Sequence, residues 1–251
     1  MKNSVFIGAV LLFGSLTAVA QSTPDSICEV TRVKAKSGTA KQLETGRKTH
    51  NNFHLAQKDK NSVFVWTLTS GPDFGQYLMT TCGLAWKDMD GREDFNAKDN
   101  ADIARTMGPF IENMNRSYYV LRSDLGPKEV TPSDKLPKMI SITTFYLKGD
   151  GAKAFTAAVK RIGEARTKSN YPSKTSHWYQ LANGGDGPQF VLVGDRANWA
   201  DMQGPDKTLV TMLEEVYGKD DTTLQSLRGA VRYTVSELAD LHPELSYMPA
   251  K

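Results

Sequence analysis

Hydrophobic and polar residues alternate in short runs along the first half of the chain, and segments with a helical period separate the runs. Alternation is typical of a half-buried strand, whereas apolar residues three and four apart indicate an amphipathic helix. The stretch CEVTRVKA, which begins at Cys28, is therefore predicted to be a strand. The further predicted elements are a helix from about Thr39 to Gln57, the strands SVFVWTLT and QYLMTTCGLAW joined by the turn GPDFG, a helix from about Asn100 to Asn115, and the strand SYYVLRS.

The second half of the chain has the same order of patterns. Its predicted elements are the strand MISITTFYL, a helix from about Ala152 to Thr167, the strands TSHWYQLA and QFVLVGD joined by the turn NGGDGP, a helix around Lys207 to Tyr217, and the strand GAVRYTVS. Each half is thus predicted to have the order β-α-β-β-α-β of ferredoxin-like folds.

Two similar phrases relate the halves to each other. AWKDMDG begins at Ala85, and NWADMQG begins at Asn198, 113 residues further on. Upstream of the phrases Trp66 falls on Trp178 at an offset of 112, which predicts a one-residue insertion in the turn-rich hairpin loop. Similarity at one long period indicates duplication of a whole unit.

The Trp-x-Asp-Met phrase is interpreted as a turn between the third strand and the second helix of each half. Asn198 can cap a helical turn, and Asp201 then occupies a position that favours a carboxylate. Trp199 is expected to fold back over the sheet edge. The alternative is that Asp88 and Asp201 line a pocket.

The first twenty residues have the pattern of a cleaved secretory signal. Lys2 precedes the apolar run VFIGAVLLFG, and small residues end at Ala20. We therefore expect a periplasmic or secreted protein, with no later segment that spans a membrane. The expected organisation is a signal peptide (1–20), a first repeat (21–125), a linker (126–137), a second repeat (138–240) and a C-terminal tail (241–251) that lies along the surface or is disordered.

The strand around Trp66 is apolar on both faces, with Phe64, Trp66 and Leu68 on one face and Val63 and Val65 on the other. A sheet that helices cover on one side then needs a second cover, which the other half can supply. With this element order and the Trp-x-Asp-Met phrase, the chain resembles the dimeric α/β-barrel superfamily, which includes antibiotic-biosynthesis-monooxygenase-like domains. The resemblance implies an α+β fold in which two ferredoxin-like repeats pack sheet to sheet as a pseudo-dimeric barrel.

Composition and missing motifs exclude several classes of function. The formal net charge is +3, and lysine and arginine are dispersed among acidic residues, which argues against a nucleic-acid-binding surface. The sequence contains no P-loop, G-x-G-x-x-G, G-x-S-x-G or C-x-x-C motif. Cys28 and Cys82 fall on strands that are neighbours in ferredoxin-like order, so a disulfide between them is possible in an oxidising compartment.

The candidate site comes from a difference between the halves. On the first predicted helix, Arg47 and His50 fall on Val159 and Ile162 of the second half. Burying unpaired polar groups is unfavourable, so these side chains need partners, water or a ligand. The hypothesis is a pocket in the first repeat lined by Arg47, His50, Trp66 and Trp86, suited to an anionic or aromatic ligand. The alternative is that Arg47 reaches solvent and His50 bonds to a backbone carbonyl.

The phrase HNNFH places His50 and His54 four residues apart, so both imidazoles can face one metal ion. It lacks the glutamate of H-E-x-x-H, and no third ligand is near in sequence, so neither a metal site nor a cofactor is predicted. His177 falls on Val65 and is expected either to face the space between the sheets or to be a satisfied interior group.

Three hypotheses about function follow. The first is an exported protein that binds a small molecule in the first repeat. The second, implied by the family resemblance, is a cofactor-light monooxygenase or a haem-handling enzyme that uses His50. The third is a structural or interaction module without a ligand. Neither enzymatic activity nor oligomeric state follows from the sequence.

Overall fold

The computed structural model describes residues 26–126, 135–172 and 175–249 of the 251-residue chain. The predicted signal peptide and most of the predicted linker lie outside the described residues. The elements are β1 (Ile27–Ala35), α1 (Ala40–Ala56), β2 (Phe64–Leu68), β3 (Tyr77–Leu84), α2 (Glu93–Thr106), β4 (Ile111–Leu121), β5 (Met139–Leu147), α3 (Ala152–Lys168), β6 (Ser176–Asn183), β7 (Gln189–Arg196), α4 (Leu209–Tyr217), α5 (Thr223–Ala230) and β8 (Val231–Leu241). None of the helices within these ranges is long and apolar enough to cross a membrane.

The eight strands form one closed antiparallel barrel in the order β1-β3-β2-β8-β5-β7-β6-β4. Each half contributes four neighbouring strands in ferredoxin-like order, β4-β1-β3-β2 from the first and β8-β5-β7-β6 from the second. The halves are joined by hydrogen-bonded edges, where β2 pairs with β8 and β4 pairs with β6. The predicted α+β class is confirmed, and the two sheets share edges in addition to facing each other.

Alternation along the strands divides the core into an interior and an outer layer. Trp66 of β2 points into the barrel and packs with Leu78 and Ile142. The preceding residue, Val65, faces outward and packs against Leu43 of α1. The prediction that β2 is apolar on both faces is therefore confirmed, since one face lines the barrel and the other supports the helices.

The sheet register corrects the correspondence between the halves. Trp66 pairs with Leu78, and Tyr179 pairs with Val191, which corresponds to Leu78. Tyr179 is therefore the counterpart of Trp66, whereas Trp178 faces the outer layer against the helices. The predicted match of the two tryptophans is wrong by one residue, and so is the match of His177 with Val65. The same number of residues separates Trp66 from Leu78 as separates Tyr179 from Val191, so the two hairpins have equal length. The one-residue insertion therefore lies before β2 and not in the hairpin loop.

Two helix predictions need correction. The second helix of the first half covers Glu93–Thr106, not residues 100–115. Two acidic residues occupy its first turn, where they interact favourably with the helix dipole, and Pro109 in the turn that follows is unsuited to a helix interior. In the second half the predicted helix corresponds to α4, but α5, which was not predicted, follows it before β8.

Both Trp-x-Asp-Met phrases form short 3₁₀ turns after β3 and β7, as the turn interpretation predicts. The aspartate of each phrase accepts a hydrogen bond at 2.7 Å from a backbone N–H three or four residues earlier. Trp199 is 68% exposed, so the expectation that it folds back over the sheet is wrong.

The C-terminal segment after β8 packs more closely than the predicted surface arm. Leu245 and Tyr247 are both buried, and Leu245 contacts the outer layer between α1 and the sheet. Tyr247 pairs with Val63 just before β2, and its hydroxyl donates a hydrogen bond of 2.8 Å to the carbonyl oxygen of Asp59. This segment therefore closes the outer layer of the first half.

Cys28 and Cys82 are directly opposite each other on β1 and β3, and their sulfur atoms are bonded in the structure. The bond lies beside one end of the barrel interior, which both residues help to line. It joins positions 54 residues apart in sequence, and so encloses α1, β2 and most of β3.

We expect the oxidised protein to be more stable than the Cys28→Ser/Cys82→Ser variant by about 2–4 kcal/mol, because the bond restricts the unfolded chain. Chemical denaturation measures the difference. Alkylation of the denatured, unreduced protein followed by intact mass measurement should detect no thiol, whereas two labelled thiols would contradict the bond.

Candidate functional site: the interior of the barrel

The barrel interior contains a cavity of about 900 Å³. Its walls are the inward-facing residues of all eight strands, which follow from the two-residue period of each strand. The middle of the wall is mainly apolar and aromatic. Residues there include Val30, Trp66, Leu78, Ile142, Tyr179 and Val191.

A partly buried ion-pair cluster lies in the wall among these apolar residues. Arg32 of β1 donates to Glu237 of β8 at 2.6 and 3.2 Å, and to Asp73 of the β2–β3 loop at 2.9 Å. The Glu237 side chain is only 1% exposed. Burial alone would lower the pKa of Arg32, but these two carboxylates raise it above its usual value. Arg32 therefore stays charged, and the two carboxylates more than offset its charge within the cluster.

Gly71 helps to place this cluster. Its φ is +90°, and a Cβ atom there would lie 2.8 Å from the side chain of Glu237 and 2.9 Å from the carbonyl oxygen of Ser236. A glycine thus lets the β2–β3 loop lie directly on β8, which brings Asp73 to Arg32.

Tyr119 and Tyr179 are among the tyrosines that line the cavity, and they supply polar groups among its apolar walls. Burial raises the pKa of both Tyr119 and Tyr179 above the usual value, so both hydroxyls stay protonated at neutral pH. The Tyr119 hydroxyl accepts a hydrogen bond of 3.2 Å from Gln189 Nε2. The indole N–H of Trp66 donates to Thr80 at 3.3 Å, which leaves the ring itself as an apolar surface.

His177 of β6 also lines the cavity and is 4% exposed. Burial lowers its pKa, and the nearby Asp195 opposes this effect in part. A lowered pKa favours the neutral imidazole. The expectation that His177 faces the space between the sheets agrees with this position.

The structure does not bring the four predicted ligand-binding residues into one cavity. Trp66 lines the barrel, whereas Arg47 and His50 lie on the opposite face of the sheet, between α1 and its neighbours. Trp86 is 49% exposed in the 3₁₀ turn after β3, where its ring lies 5.9 Å from that of Tyr118. A binding role for these residues remains a prediction, but they cannot share one ligand as a group.

The partners of Arg47 and His50 also differ from the predicted alternative. Arg47 is 3% exposed and does not reach solvent; its Nε donates to the carbonyl oxygen of Leu245 at 3.1 Å, and burial lowers its pKa to about 10. His50 bonds through Nδ1 to the carboxylate of Asp102 at 2.7 Å, not to a backbone carbonyl.

The sequence analysis missed Arg32, Tyr119 and Glu237. Arg32 could have been identified from the sequence, because every second residue of a strand points to the same face. Cys28, Val30 and Arg32 of β1 therefore share one face. Glu237 could not be found in this way, because the predicted last strand ended one residue before it.

Several solved proteins are similar to this chain in fold. No family model and no curated protein matches the sequence. An anthrone oxidase-like protein is 10% identical with a TM-score of 0.55, over 90% of this chain and 94% of that one. A monooxygenase-like protein from Lactobacillus acidophilus NCFM is 8% identical with a TM-score of 0.51, over 90% and 97%. A chlorite dismutase variant from Candidatus Nitrospira defluvii is 9% identical with a TM-score of 0.52, over 89% and 94%.

These likenesses show that the chain shares its overall fold with these monooxygenase-like, anthrone oxidase-like and chlorite dismutase proteins. The barrel class implied by the sequence resemblance is thereby supported. At 8–10% identity, the comparisons show the fold and carry no residue of a known site onto this chain.

We expect Arg32→Met to lower the free energy of unfolding by about 3–5 kcal/mol, because it leaves Glu237 as a buried, unpaired charge. Adding Glu237→Gln should recover much of this loss. Lys34→Met is the matched control, since Lys34 lies on β1 as Arg32 does and forms a half-exposed pair with Glu112 of β4, so its loss should change stability by less than about 1 kcal/mol. If Arg32→Met and Lys34→Met lower the free energy of unfolding equally in urea denaturation, Arg32 does not offset the buried charge of Glu237.

Proposed function

We propose that the protein binds a small, mainly apolar and aromatic molecule in the interior of the barrel. The cavity of about 900 Å³ carries this proposal, because it lies at the upper end of the range typical of ligand pockets. Trp66, one of the predicted ligand-binding residues, belongs to its wall. The proposed site therefore lies between the two halves, not within the first half alone.

The chemistry of the wall favours an uncharged ligand over an anionic one. Arg32 is already balanced by Glu237 and Asp73, so it offers no free positive charge. The ring of Trp66 offers a surface for stacking, and the protonated hydroxyls of Tyr119 and Tyr179 suit hydrogen bonds to a ligand oxygen. An aromatic ring system with a few oxygen substituents matches this arrangement.

The alternative in which His50 binds haem does not fit the residues present. The His50 side chain is 1% exposed, with Nδ1 at 2.7 Å from Asp102 and Nε2 at 3.2 Å from Asp99. Its ring stacks on Phe53, with the ring centroids 5.6 Å apart. Both ring nitrogens are enclosed by carboxylates, so a planar macrocycle has no room to bring its iron to either of them. A monooxygenase reaction is supported only by similarity in fold.

We expect purified protein to bind the neutral dye N-phenyl-1-naphthylamine, with an increase in dye fluorescence as it enters an apolar site. Val193→Trp should weaken this binding at least tenfold, because the larger side chain fills part of the cavity. The fluorescence titration measures both.

Met114→Trp is the matched control, because Met114 is an exposed residue of β4. It should bind the dye as wild type does. Equal stability of Val193→Trp and wild type would show that the new ring enters open space. Absence of dye binding by wild type, or unchanged binding by Val193→Trp, would refute the proposed site and favour a module without a ligand.

We also propose that the chain acts outside the cytoplasm after removal of residues 1–20. The apolar run and the small residues before Gln21 support this. Intact mass measurement of the protein from the periplasmic or secreted fraction should give a mature chain that begins at Gln21. A full-length chain confined to the cytoplasmic fraction would contradict export.

A further inference from the structure

The polar cluster between α1 and α2 lies outside the barrel cavity and brings two imidazoles to one carboxylate. His50 and His54 lie one helical turn apart on α1, and Asp99 faces them from α2. Asp99 Oδ1 is 3.2 Å from His50 Nε2 and 3.7 Å from His54 Nε2. All three atoms lie within 4.8 Å of one another. The third ligand that the sequence did not reveal is therefore provided by the neighbouring helix.

The other nitrogen of each imidazole is held by a further carboxylate. His50 Nδ1 is 2.7 Å from Asp102, and His54 Nδ1 is 3.0 Å from Asp59. Because a carboxylate can only accept, Nδ1 of each ring donates the proton, and Nε2 of the neutral ring carries its lone pair toward Asp99. Metal-binding histidines usually have this second contact, which fixes both the tautomer and the ring orientation.

Asp99 Oδ1 is buried and accepts no hydrogen bond of acceptable geometry from the part of the chain that the structure describes. With both imidazoles neutral, it would face two nitrogen lone pairs in a site shielded from water. The charge of Arg47 acts on Asp99, but Oδ1 receives no hydrogen bond from it and still lacks a bonded positive partner. A cation between the three atoms would satisfy all of them together.

The second half shows that the fold does not require polar groups here. Ile162 corresponds to His50, and it packs with Ala165, Met212 and Leu213 in an apolar cluster between α3 and α4. The helices of the first half also approach each other closely. A Cβ atom at Gly46 of α1 would lie only 2.2 Å from the carbonyl oxygen of Thr106 of α2.

We infer that His50 Nε2, His54 Nε2 and the Asp99 carboxylate bind one divalent transition-metal ion of the zinc class. In a tetrahedral zinc site with bonds of about 2.0–2.1 Å, neighbouring ligand atoms lie about 3.3 Å apart. The distances of 3.2 and 3.7 Å to Asp99 approach this value, and the two imidazole nitrogens, which lie within 4.8 Å of each other, would move closer together on binding. Burial of both histidines suits a structural ion that links α1 to α2.

The competing account is a network of ion pairs without metal. In that account protonated imidazoles pair with Asp99, Asp102 and Asp59, and Arg92 lies 3.6 Å from Asp59 as a further cation. The two accounts differ in a measurable way, because only the first requires a stoichiometric metal that depends on Asp99.

The test uses untagged protein dialysed against a chelator and then against metal-free buffer. Zn²⁺ titrated calorimetrically should bind with a stoichiometry of one and raise Tm. Co²⁺ should give the visible absorption bands of a tetrahedral site, and Zn²⁺ should displace them. Asp99→Asn, which keeps the size of the side chain, and His54→Gln should each weaken Zn²⁺ binding at least a hundredfold and abolish the Tm increase.

His242→Gln is the matched control, because His242 lies on the C-terminal segment and pairs only with Glu244 among the described residues. It should bind Zn²⁺ as wild type does, and Asp102→Asn should bind about 10–100-fold more weakly through loss of the second contact. Circular dichroism must show that each variant is folded. No stoichiometric binding by wild type, or equal binding by Asp99→Asn, would establish the ion-pair network instead. Neither result bears on the barrel cavity, which lies on the opposite side of the sheet.

Discussion

Closure of the barrel at two seams, β2 with β8 and β4 with β6, is the constraint on which the rest of the structure depends. Each seam joins a strand of the first half to one of the second, so neither four-stranded sheet has an open edge in the closed ring. Closure also turns the inward faces of all eight strands toward one shared interior. The composition of that interior is then determined by every second residue of each strand.

The closed sheet separates two kinds of buried polar group. Inside the barrel, Arg32 and Glu237 form a balanced pair in the wall of an open cavity. Outside it, His50 and Asp99 belong to a closed cluster between helices. The first arrangement leaves space for a ligand, whereas the second leaves space for a single ion. The proposed binding of a small molecule and the proposed metal ion between the helices therefore concern separate parts of the fold.

Apart from α5, the order of elements was predictable because strand and helix periods are local properties of the sequence. The face of the sheet that each strand residue occupies, and the register between strands, were not predictable. A shift of one residue moves a strand side chain to the other side of the sheet. Matching Trp66 to Trp178 paired an interior residue with one of the outer layer. The predicted pocket consequently combined Trp66 with His50, although the sheet lies between them.

Contacts between segments that are distant in sequence explain the remaining differences between the predicted and the observed surroundings of Arg47 and His50. Arg47 and His50 were correctly identified as polar residues on an otherwise buried helix face. Their partners come from α2 and from the segment after β8, and no local pattern connects these segments to α1. Asp102 lay within the predicted helix, but the predicted start at about residue 100 left out Asp99 and so concealed the face that they share.

The central claim is that the interior of the barrel is a ligand site. A crystal structure of the protein with bound N-phenyl-1-naphthylamine tests it most directly. The account predicts electron density for the dye within the barrel, against Trp66 and Tyr179. Dye bound only on the outer surface, with the interior filled by side chains, would contradict it.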